Sequence, residues 1–178
     1  MKWRAFKHEG GEYGLDHVHP FEWAFTAPAA PKRPERNYQF QVTFSMHTFT
    51  RGLKEGEVVA DELLYRDSRE TRVFDFERYE LSKRLLEIIR QLDERRCYHT
   101  GHGNFFTIEL VSEDGTSQEY EIYFKVSRAS RKGWLNLYVE SAYARDSGYQ
   151  TSQPKKRKIG LQVIAYNITH GKVISAGK

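Results

Sequence analysis

Two histidines stand where a fold can most easily present acid–base chemistry. His47 lies at the end of a predicted strand, on its polar side, and His99 follows the longest predicted helix. Rigid scaffolds often carry reactive groups at strand ends and in loops. Imidazole also exchanges protons readily near neutral pH. We therefore predict His47 as a general base and His99 as a general acid.

This pair would suit the cleavage of RNA without a metal ion. The reaction needs a base for the 2′-hydroxyl, an acid for the leaving 5′-oxygen, and cations around the phosphorus. Arg72, Arg78 and Arg145 could supply the positive charge, because guanidinium groups match phosphate oxygens in bidentate geometry. Surface ion pairs are the alternative for these arginines, especially in residues 66–72, where acidic side chains are interspersed.

Residues 97–102 offer a weak alternative chemistry. Cys97, His99 and His102 are residue types that bind zinc, but structural zinc sites usually show paired motifs at both ends of the fold. We predict no metal and no cofactor. The motifs G-x-x-x-x-G-K-[ST], G-x-G-x-x-G and G-x-S-x-G are absent, which argues against ATP-driven chemistry.

The chain has 178 residues and a net charge of +4, distributed unevenly. Residues 55–94 hold twelve acidic and seven basic side chains, whereas residues 125–158 hold nine basic and two acidic ones. A basic block is typical of a polyanion-binding surface, since Lys and Arg neutralise phosphates and release counterions. The predicted nucleic-acid-binding residues are Lys125, Arg128, Arg131, Lys132, Tyr138, Lys155, Lys156, Arg157 and Lys158. A solvated loop surface is the alternative, and the acidic region is a candidate site for a protein partner.

The elements that must position these residues follow from hydrophobic periodicity. The apolar residues at helical spacing are Leu81, Leu85, Ile88, Ile89 and Leu92. They predict a helix over about residues 77–95, with Asp75 as its N-cap. Residues 1–36 read as an irregular arm with one short strand, at residues 21–26.

Alternating patterns predict strands on both sides of this helix. One covers residues 38–46. The others cover residues 106–110, 120–126, 135–139 and 159–165, with a hairpin turn at residues 114–115. A helix followed by an antiparallel meander predicts an α+β fold. We expect a single domain over residues 1–178, with an antiparallel sheet of about five to seven strands and the helix packed on one face.

The other face of this sheet is predicted to be polar. If the aliphatic residues face the helix, the alternate positions are Tyr123, Lys125, Asn136, Tyr138, Glu140, Gln162, Ile164 and Tyr166. Such a face could stack bases and bind phosphates, as sheet-based readers of single-stranded RNA do. Coverage by the N-terminal strands, with half-buried tyrosines, is the alternative.

The segment WLNLYVESAY at residues 134–143 resembles the penultimate strand of the barnase, colicin D and RelE-like ribonuclease toxins. The resemblance extends over about residues 77–167, where a helix precedes the sheet. Ser141, Ala142 and Tyr143 stand where these toxins often have Thr-Ala-Tyr. The resemblance implies metal-independent endoribonuclease activity of the kind found in toxins and defence systems, with Tyr143 among the catalytic residues.

Composition argues against several other classes of protein. No apolar run is long enough to span a membrane, and the N-terminus lacks the apolar region of a secretory signal. The single cysteine, Cys97, suggests a reducing compartment, which we take to be the cytoplasm. The leading hypothesis is an RNA-binding protein with metal-independent endoribonuclease activity. A non-catalytic nucleic-acid-binding regulator and a protein-interaction subunit are the alternatives.

Overall fold

The computed structural model describes residues 2–31, 33–113, 116–145 and 157–174. Its helices are α1 (Phe76–Ser82), α2 (Leu85–Arg90) and α3 (Leu161–Thr169). Its strands are β1 (Phe6–His8), β2 (Gly11–Tyr13), β3 (Phe21–Ala27), β4 (Arg36–Phe44), β5 (Thr50–Arg51), β6 (Leu64–Arg66), β7 (Thr71–Phe74), β8 (Cys97–His99), β9 (Phe105–Glu113), β10 (Thr116–Arg128), β11 (Trp134–Arg145) and β12 (Arg157–Ile159). Single turns of 3-10 helix lie at Asp16–Val18, Met46–Thr48 and Asp61–Leu63.

Seven of these strands form one large sheet in the order β12-β8-β9-β10-β11-β4-β3. Neighbours in this sheet are antiparallel, except that β11 runs parallel to β4 from Trp134↔Gln39 to Val139↔Phe44. The α+β class is therefore confirmed, whereas the prediction of an antiparallel sheet was wrong because the sheet is mixed. A parallel pair needs a long connection, and residues 45–133 provide it.

The N-terminal segment contributes more regular structure than predicted. Residues 1–36 carry a β1–β2 hairpin as well as β3, so the expectation of one short strand was wrong. β3 pairs with β4 as an edge strand of the large sheet. A smaller sheet in the order β5-β7-β6 lies against the hairpin, where the rings of Phe6 and Phe74 stack at 3.9 Å between centroids.

One face of the large sheet forms the hydrophobic core. Its fully buried side chains include Phe40, Val42, Ile122, Phe124, Leu137 and Val139, at alternate positions of β4, β10 and β11. Leu85 and Ile89 of α2 and Leu161 and Ile164 of α3 belong to the same cluster. Burial of each such side chain contributes about 1.5–3 kcal/mol, so this face accounts for a large part of the stability.

The helix predicted over residues 77–95 is two short helices. Asp75 is the N-cap of α1, as predicted, and its carboxylate accepts a hydrogen bond from the Arg78 N–H at 3.0 Å. α1 ends at Ser82, whose hydroxyl donates to the Tyr79 carbonyl at 2.7 Å. Side-chain bonds of this kind often bend or interrupt helices, and here α2 begins at Leu85.

The strand predicted over residues 159–165 is also wrong, because most of that segment is α3. β12 stops at Ile159, and Leu161, Ile164 and Ala165 are buried at helical spacing. The predicted outward-facing residues Gln162, Ile164 and Tyr166 are therefore not on the sheet.

The β9–β10 hairpin is confirmed by the pairing of Glu113 with Thr116, although the turn at residues 114–115 lies outside the described residues. On β9 the residues Phe105, Phe106, Thr107 and Val111 are buried, while Leu110 is 69% exposed. None of the helices within the described ranges combines the length and the apolar character that a bilayer crossing requires.

Candidate functional site on the polar face of the sheet

The two faces of the large sheet differ in polarity. Residues paired directly across neighbouring strands lie on the same face. The paired row of Phe44, Val139 and Phe124 is buried, and we call its side the packed face. The adjacent row consists of Thr43, Tyr138 and Lys125, and we call its side the polar face. Tyr123, Lys125, Asn136 and Tyr138 are exposed or half-buried on this face, as the alternating pattern predicts.

His47 is held at the margin of the polar face by a single turn of 3-10 helix. The turn begins after Ser45, whose hydroxyl accepts a hydrogen bond from the His47 N–H at 3.2 Å. The Nε2 atom of His47 lies 2.9 Å from Oε1 of Glu70. The two side chains are 35% and 40% exposed. The structure thus presents a histidine–carboxylate pair that solvent and a ligand can reach.

Two arginines lie close to the His47–Glu70 pair. The Nε–H of Arg72 donates to Oγ1 of Thr50 at 2.9 Å, and its Nη1 lies 3.7 Å from the Glu70 carboxylate. Arg78 on α1 donates to the backbone carbonyls of His47 and Thr50 at 3.2 and 2.9 Å. Its guanidinium also lies 5.3 Å from the ring centroid of Tyr143. Arg78 therefore ties the His47 turn to both α1 and β11.

A second polar group lies farther along β10 and β11. Glu121 is fully buried, and Arg145 binds it through two hydrogen bonds of 2.7 and 3.0 Å. The Tyr123 hydroxyl donates to the same carboxylate at 2.8 Å, and the rings of Tyr123 and Tyr143 stack at 5.7 Å. Arg145 and Tyr143, two predicted catalytic residues, thus belong to a largely enclosed network.

The charges in this second group follow from its contacts. Burial raises the pKa of Tyr123, and its hydrogen bonds with Tyr143 and Glu121 raise it further. The hydrogen bonds to Glu121 raise the pKa of Arg145. Both side chains therefore stay protonated at neutral pH, and they hold the Glu121 carboxylate as a structural ion pair.

A cleft of about 250 Å³ opens between the polar face and the turn that joins β6 to β7. Its lining includes Trp3, Thr43, Asp67, Arg69, Glu70 and Tyr138. Tyr138, a predicted nucleic-acid-binding residue, is 38% exposed there. Because Glu70 lines the cleft and contacts His47, the histidine–carboxylate pair lies at its edge.

The structure separates His99 from His47. His99 pairs with Phe105 and so lies on the packed face, at the β8 end of the sheet. Four strand spacings separate β8 from β4, or about 19 Å. Burial, followed by the nearby Arg157, lowers the pKa of His99. The prediction that His47 and His99 act together was therefore wrong.

Glu70 is the site residue that sequence reasoning missed. It lies in residues 66–72, where the mixture of acids and arginines was interpreted as surface ion pairs. That interpretation holds for Arg66, whose Nη2 lies 3.0 Å from Asp61. It overlooked that the β6–β7 turn lines the same cleft as the end of β4, and that Glu70 in this turn contacts His47.

Several of the predicted phosphate-binding residues contact protein groups instead. Lys125 pairs with Glu140 at 2.7 Å, although it remains 53% exposed on the polar face. Arg128 donates to the carbonyls of Ile168 and Thr169 at 2.9 and 2.8 Å, at the end of α3. These contacts orient Arg128 toward α3 rather than toward the cleft.

The rest of the basic block is spread along the molecule. Arg131 pairs with Glu22 at 3.2 Å, and Lys132 is exposed in the β10–β11 turn. Arg157 and Lys158 lie on β12, at the far edge of the large sheet, while Lys155 and Lys156 fall outside the described residues. Among the predicted nucleic-acid-binding residues that the structure describes, Lys125 and Tyr138 lie on the polar face of β10 and β11.

The residues of the alternative zinc site, Cys97, His99 and His102, do not form a metal-binding cluster. In the described parts of the chain, no group of three His, Cys, Asp or Glu side chains is arranged to hold a metal ion. Cys97 is fully buried, and burial raises the pKa of its thiol to about 12. A neutral thiol enclosed in the core is a poor metal ligand, and His102 lies in an exposed turn.

Comparison with known proteins places the chain in a family. No solved structure matches it significantly. The chain is similar to Protein YjaZ of Escherichia coli strain K12, with 29% identity over 174 residues that cover 96% of this chain and 93% of the relative. The model of the YjaZ family matches residues 5–169, which include the whole of the cleft except Trp3. The chain therefore belongs to the YjaZ family.

Proposed function

We propose that this protein binds single-stranded RNA on its polar face and cleaves the phosphodiester backbone without a metal ion. The observation that carries the proposal is the exposed His47–Glu70 contact of 2.9 Å at the edge of a cleft. Arg72 lies 3.7 Å from the same carboxylate, which adds a cation at the point where a phosphate would lie.

The pair supplies both proton transfers that the reaction needs. The Glu70 carboxylate accepts the proton of the 2′-hydroxyl, and the 2′-oxygen then forms a bond to phosphorus. The bond from phosphorus to the 5′-oxygen breaks, and protonated His47 donates a proton to that oxygen. The products are a 2′,3′-cyclic phosphate and a 5′-hydroxyl. Because His99 is remote, His47 takes the acid role and Glu70 the role of base.

The surrounding residues have distinct tasks in this scheme. Arg72 stabilises the negative charge that develops on the phosphate oxygens. Arg78 is a positioning residue, since it holds the carbonyls of His47 and Thr50. Tyr138 and Lys125 contact the neighbouring nucleotides by stacking and by charge. Tyr143 and Arg145 stabilise the sheet beneath the site rather than react.

A resemblance predicted from the sequence motivates this proposal. The resemblance of residues 134–143 to ribonuclease toxins suggested the same reaction. The name of the relative, Protein YjaZ, states no activity. A non-catalytic RNA-binding protein would use the same polar face, and it is the competing function that the experiment below separates.

The test is cleavage of a 5′-labelled single-stranded RNA in the presence of EDTA. We expect products with 2′,3′-cyclic phosphate ends, and no cleavage of the same sequence with 2′-O-methyl groups. His47→Ala and Glu70→Gln should each slow cleavage by about 100-fold or more. His99→Ala is the matched control, because it removes a histidine from the packed face, and it should retain cleavage within about twofold.

Two results would contradict the proposal. If the wild-type protein binds this RNA but never cuts it, the molecule is a binding module without catalysis. If His99→Ala and His47→Ala reduce cleavage equally while both variants keep the wild-type circular dichroism spectrum, the active site is not the His47–Glu70 pair.

A further inference from the structure

The cleft beside His47 has the dimensions and walls of a site for one flat ring. Its volume of about 250 Å³ is below the roughly 300–1,000 Å³ typical of sites for drug-sized ligands. Trp3 forms one wall and is fixed by the hydrogen bond from its Nε1–H to the Phe44 carbonyl at 3.2 Å. Tyr138 also lines the cleft, and more than a third of its surface is exposed. Aromatic walls of this kind suit the stacking of an unpaired nucleobase.

Asp67 provides a fixed acceptor in the same cleft. Its Oδ1 accepts hydrogen bonds from the backbone N–H groups of Arg69 and Glu70, at 2.7 and 2.9 Å. These bonds lower the pKa of Asp67, so the carboxylate is ionised at neutral pH. The second oxygen, Oδ2, lies 3.9 Å from Nε of Arg69, which is beyond hydrogen-bond distance. Oδ2 can therefore accept hydrogen bonds from a ligand.

Arg69 places a positive donor beside this acceptor. Its side chain is 71% exposed, whereas that of Asp67 is 10% exposed. The cleft therefore combines a recessed acceptor with an exposed donor. A ligand that fits both must carry N–H donors on one edge and oxygen or nitrogen acceptors on the adjoining edge.

Guanine is the nucleobase with that arrangement. It presents its N1–H and N2–H donors side by side, and its O6 and N7 are the acceptors that arginine binds most often. Adenine and cytosine place a ring acceptor next to their amino group, and uracil places a carbonyl on each side of its N–H. We infer that the cleft is a nucleobase subsite that prefers guanine, with Tyr138 stacking on the ring and Asp67 and Arg69 binding its edges. This inference rests on the proposed function, since the subsite adjoins the His47–Glu70 pair.

The test measures binding without cleavage. Four fluorescein-labelled heptamers, UUUNUUU with N as G, A, C or U, are titrated with the His47→Ala protein, and fluorescence anisotropy is recorded at constant salt. We expect the G heptamer to bind about tenfold more tightly than the others. Asp67→Asn in the same background should abolish this preference. The asparagine oxygen can still accept the two backbone N–H bonds, while its amide nitrogen now faces the guanine donors.

Tyr138 variants give an independent readout. Tyr138→Ala should weaken binding of all four heptamers by a similar factor of about five to ten, because stacking does not depend on the base. Tyr138→Phe restores the ring and should recover most of the affinity that Tyr138→Ala loses, which separates stacking from other effects of the substitution.

The outcomes separate the subsite from the cleavage reaction. Equal affinity for the four heptamers, or a guanine preference that survives in Asp67→Asn, overturns the subsite. Wild-type protein that cuts RNA after every base at the same rate would leave the cleavage proposal intact and overturn the subsite. A guanine preference in binding, with no cleavage of any RNA, would keep the subsite and reject the cleavage proposal.

Discussion

The packed and polar faces of the large sheet are built from alternate residues of the same strands. On β10, Phe124 is fully buried in the core, whereas its neighbour Lys125 is half exposed and pairs with Glu140. Side chains of a strand point alternately to opposite faces. A single strand can therefore carry stability on one side and binding or catalytic groups on the other, and substitutions one position apart should have very different effects.

The polar groups on and beside the polar face form two sets. The Glu121 carboxylate is fully buried and is bound by Arg145 and Tyr123. The Glu70 carboxylate is 40% exposed and contacts His47 at the edge of the cleft. The presence of polar groups does not by itself identify a functional site. A buried ion pair whose hydrogen bonds are all made within the protein stabilises the fold without contacting a ligand. Exposure distinguishes the carboxylate that we propose to react from the structural one.

The largest expected effect tests the contrast between the two faces. Phe124→Ala should lower the free energy of unfolding by about 3–5 kcal/mol, since it leaves a cavity in the core. Lys125→Ala should lower it by less than about 1 kcal/mol, because the lysine of the ion pair that it removes is 53% exposed. Urea unfolding of the two variants measures both values. Similar losses would mean that the polar face carries as much of the stability as the packed face.

The next prediction concerns the enclosed set of polar groups. Glu121→Gln should destabilise the protein by about 3 kcal/mol, because Arg145 loses the buried carboxylate that it binds. Glu140→Gln removes the partner of the half-exposed Lys125 and should cost less than about 1 kcal/mol, since the Glu140 side chain is 24% exposed. Thermal unfolding of the two variants compares a fully buried carboxylate with a partly exposed one. If Glu121→Gln is as mild as Glu140→Gln, the Glu121 network is not structural.

A smaller effect is expected where α1 meets the site. Arg78→Ala removes charged hydrogen bonds to the carbonyls of His47 and Thr50 and should cost about 2 kcal/mol. Lys83→Ala, which removes an exposed pair with Glu80 on the same helix, should cost about 0.5 kcal/mol or less. Denaturant unfolding gives both numbers. A neutral Arg78→Ala would show that the His47 turn does not depend on α1.

The smallest expected effect depends on pH. Backbone N–H donors lower the pKa of Asp67 from its ordinary 3.8, so folding favours the ionised carboxylate. This contribution is fully present above that ordinary value and is lost as the pH falls through the lowered value of the folded state. The difference in Tm between wild type and Asp67→Asn should therefore shrink below pH 3.8. A difference that stays constant from pH 6 to pH 2 would contradict this origin of the stabilisation.

Local patterns predicted much of the fold because they depend on neighbouring residues. The alternation of Tyr120, Ile122 and Phe124 marks β10 and identifies its packed face, and Asp75 caps α1 as its residue type suggests. Residues 159–165 were assigned incorrectly because their apolar positions fit two periods. Ile159, Leu161 and Val163 alternate, yet Leu161, Ile164 and Ala165 follow the spacing of a helix.

The candidate site was predicted only in part, since its residues are brought together by long-range pairing. His47 was identified from its type and its place after a strand, but its partner Glu70 lies 23 positions away on another turn. His99 has the same chemistry as His47, and its place on the packed face is set by the pairing with Phe105. No pattern within a few residues determines which strands become neighbours in the sheet.

The amino-acid sequence by itself determined the α+β class, the hydrophobic and polar sides of β4, β10 and β11, and the N-terminus of α1. Each of these depends on side-chain periodicity or on a cap within a few residues. The tertiary structure alone decided that β11 runs parallel to β4 and that Glu70 meets His47. Those contacts join segments far apart in the chain, and they form because burial of the packed face selects one arrangement of the strands.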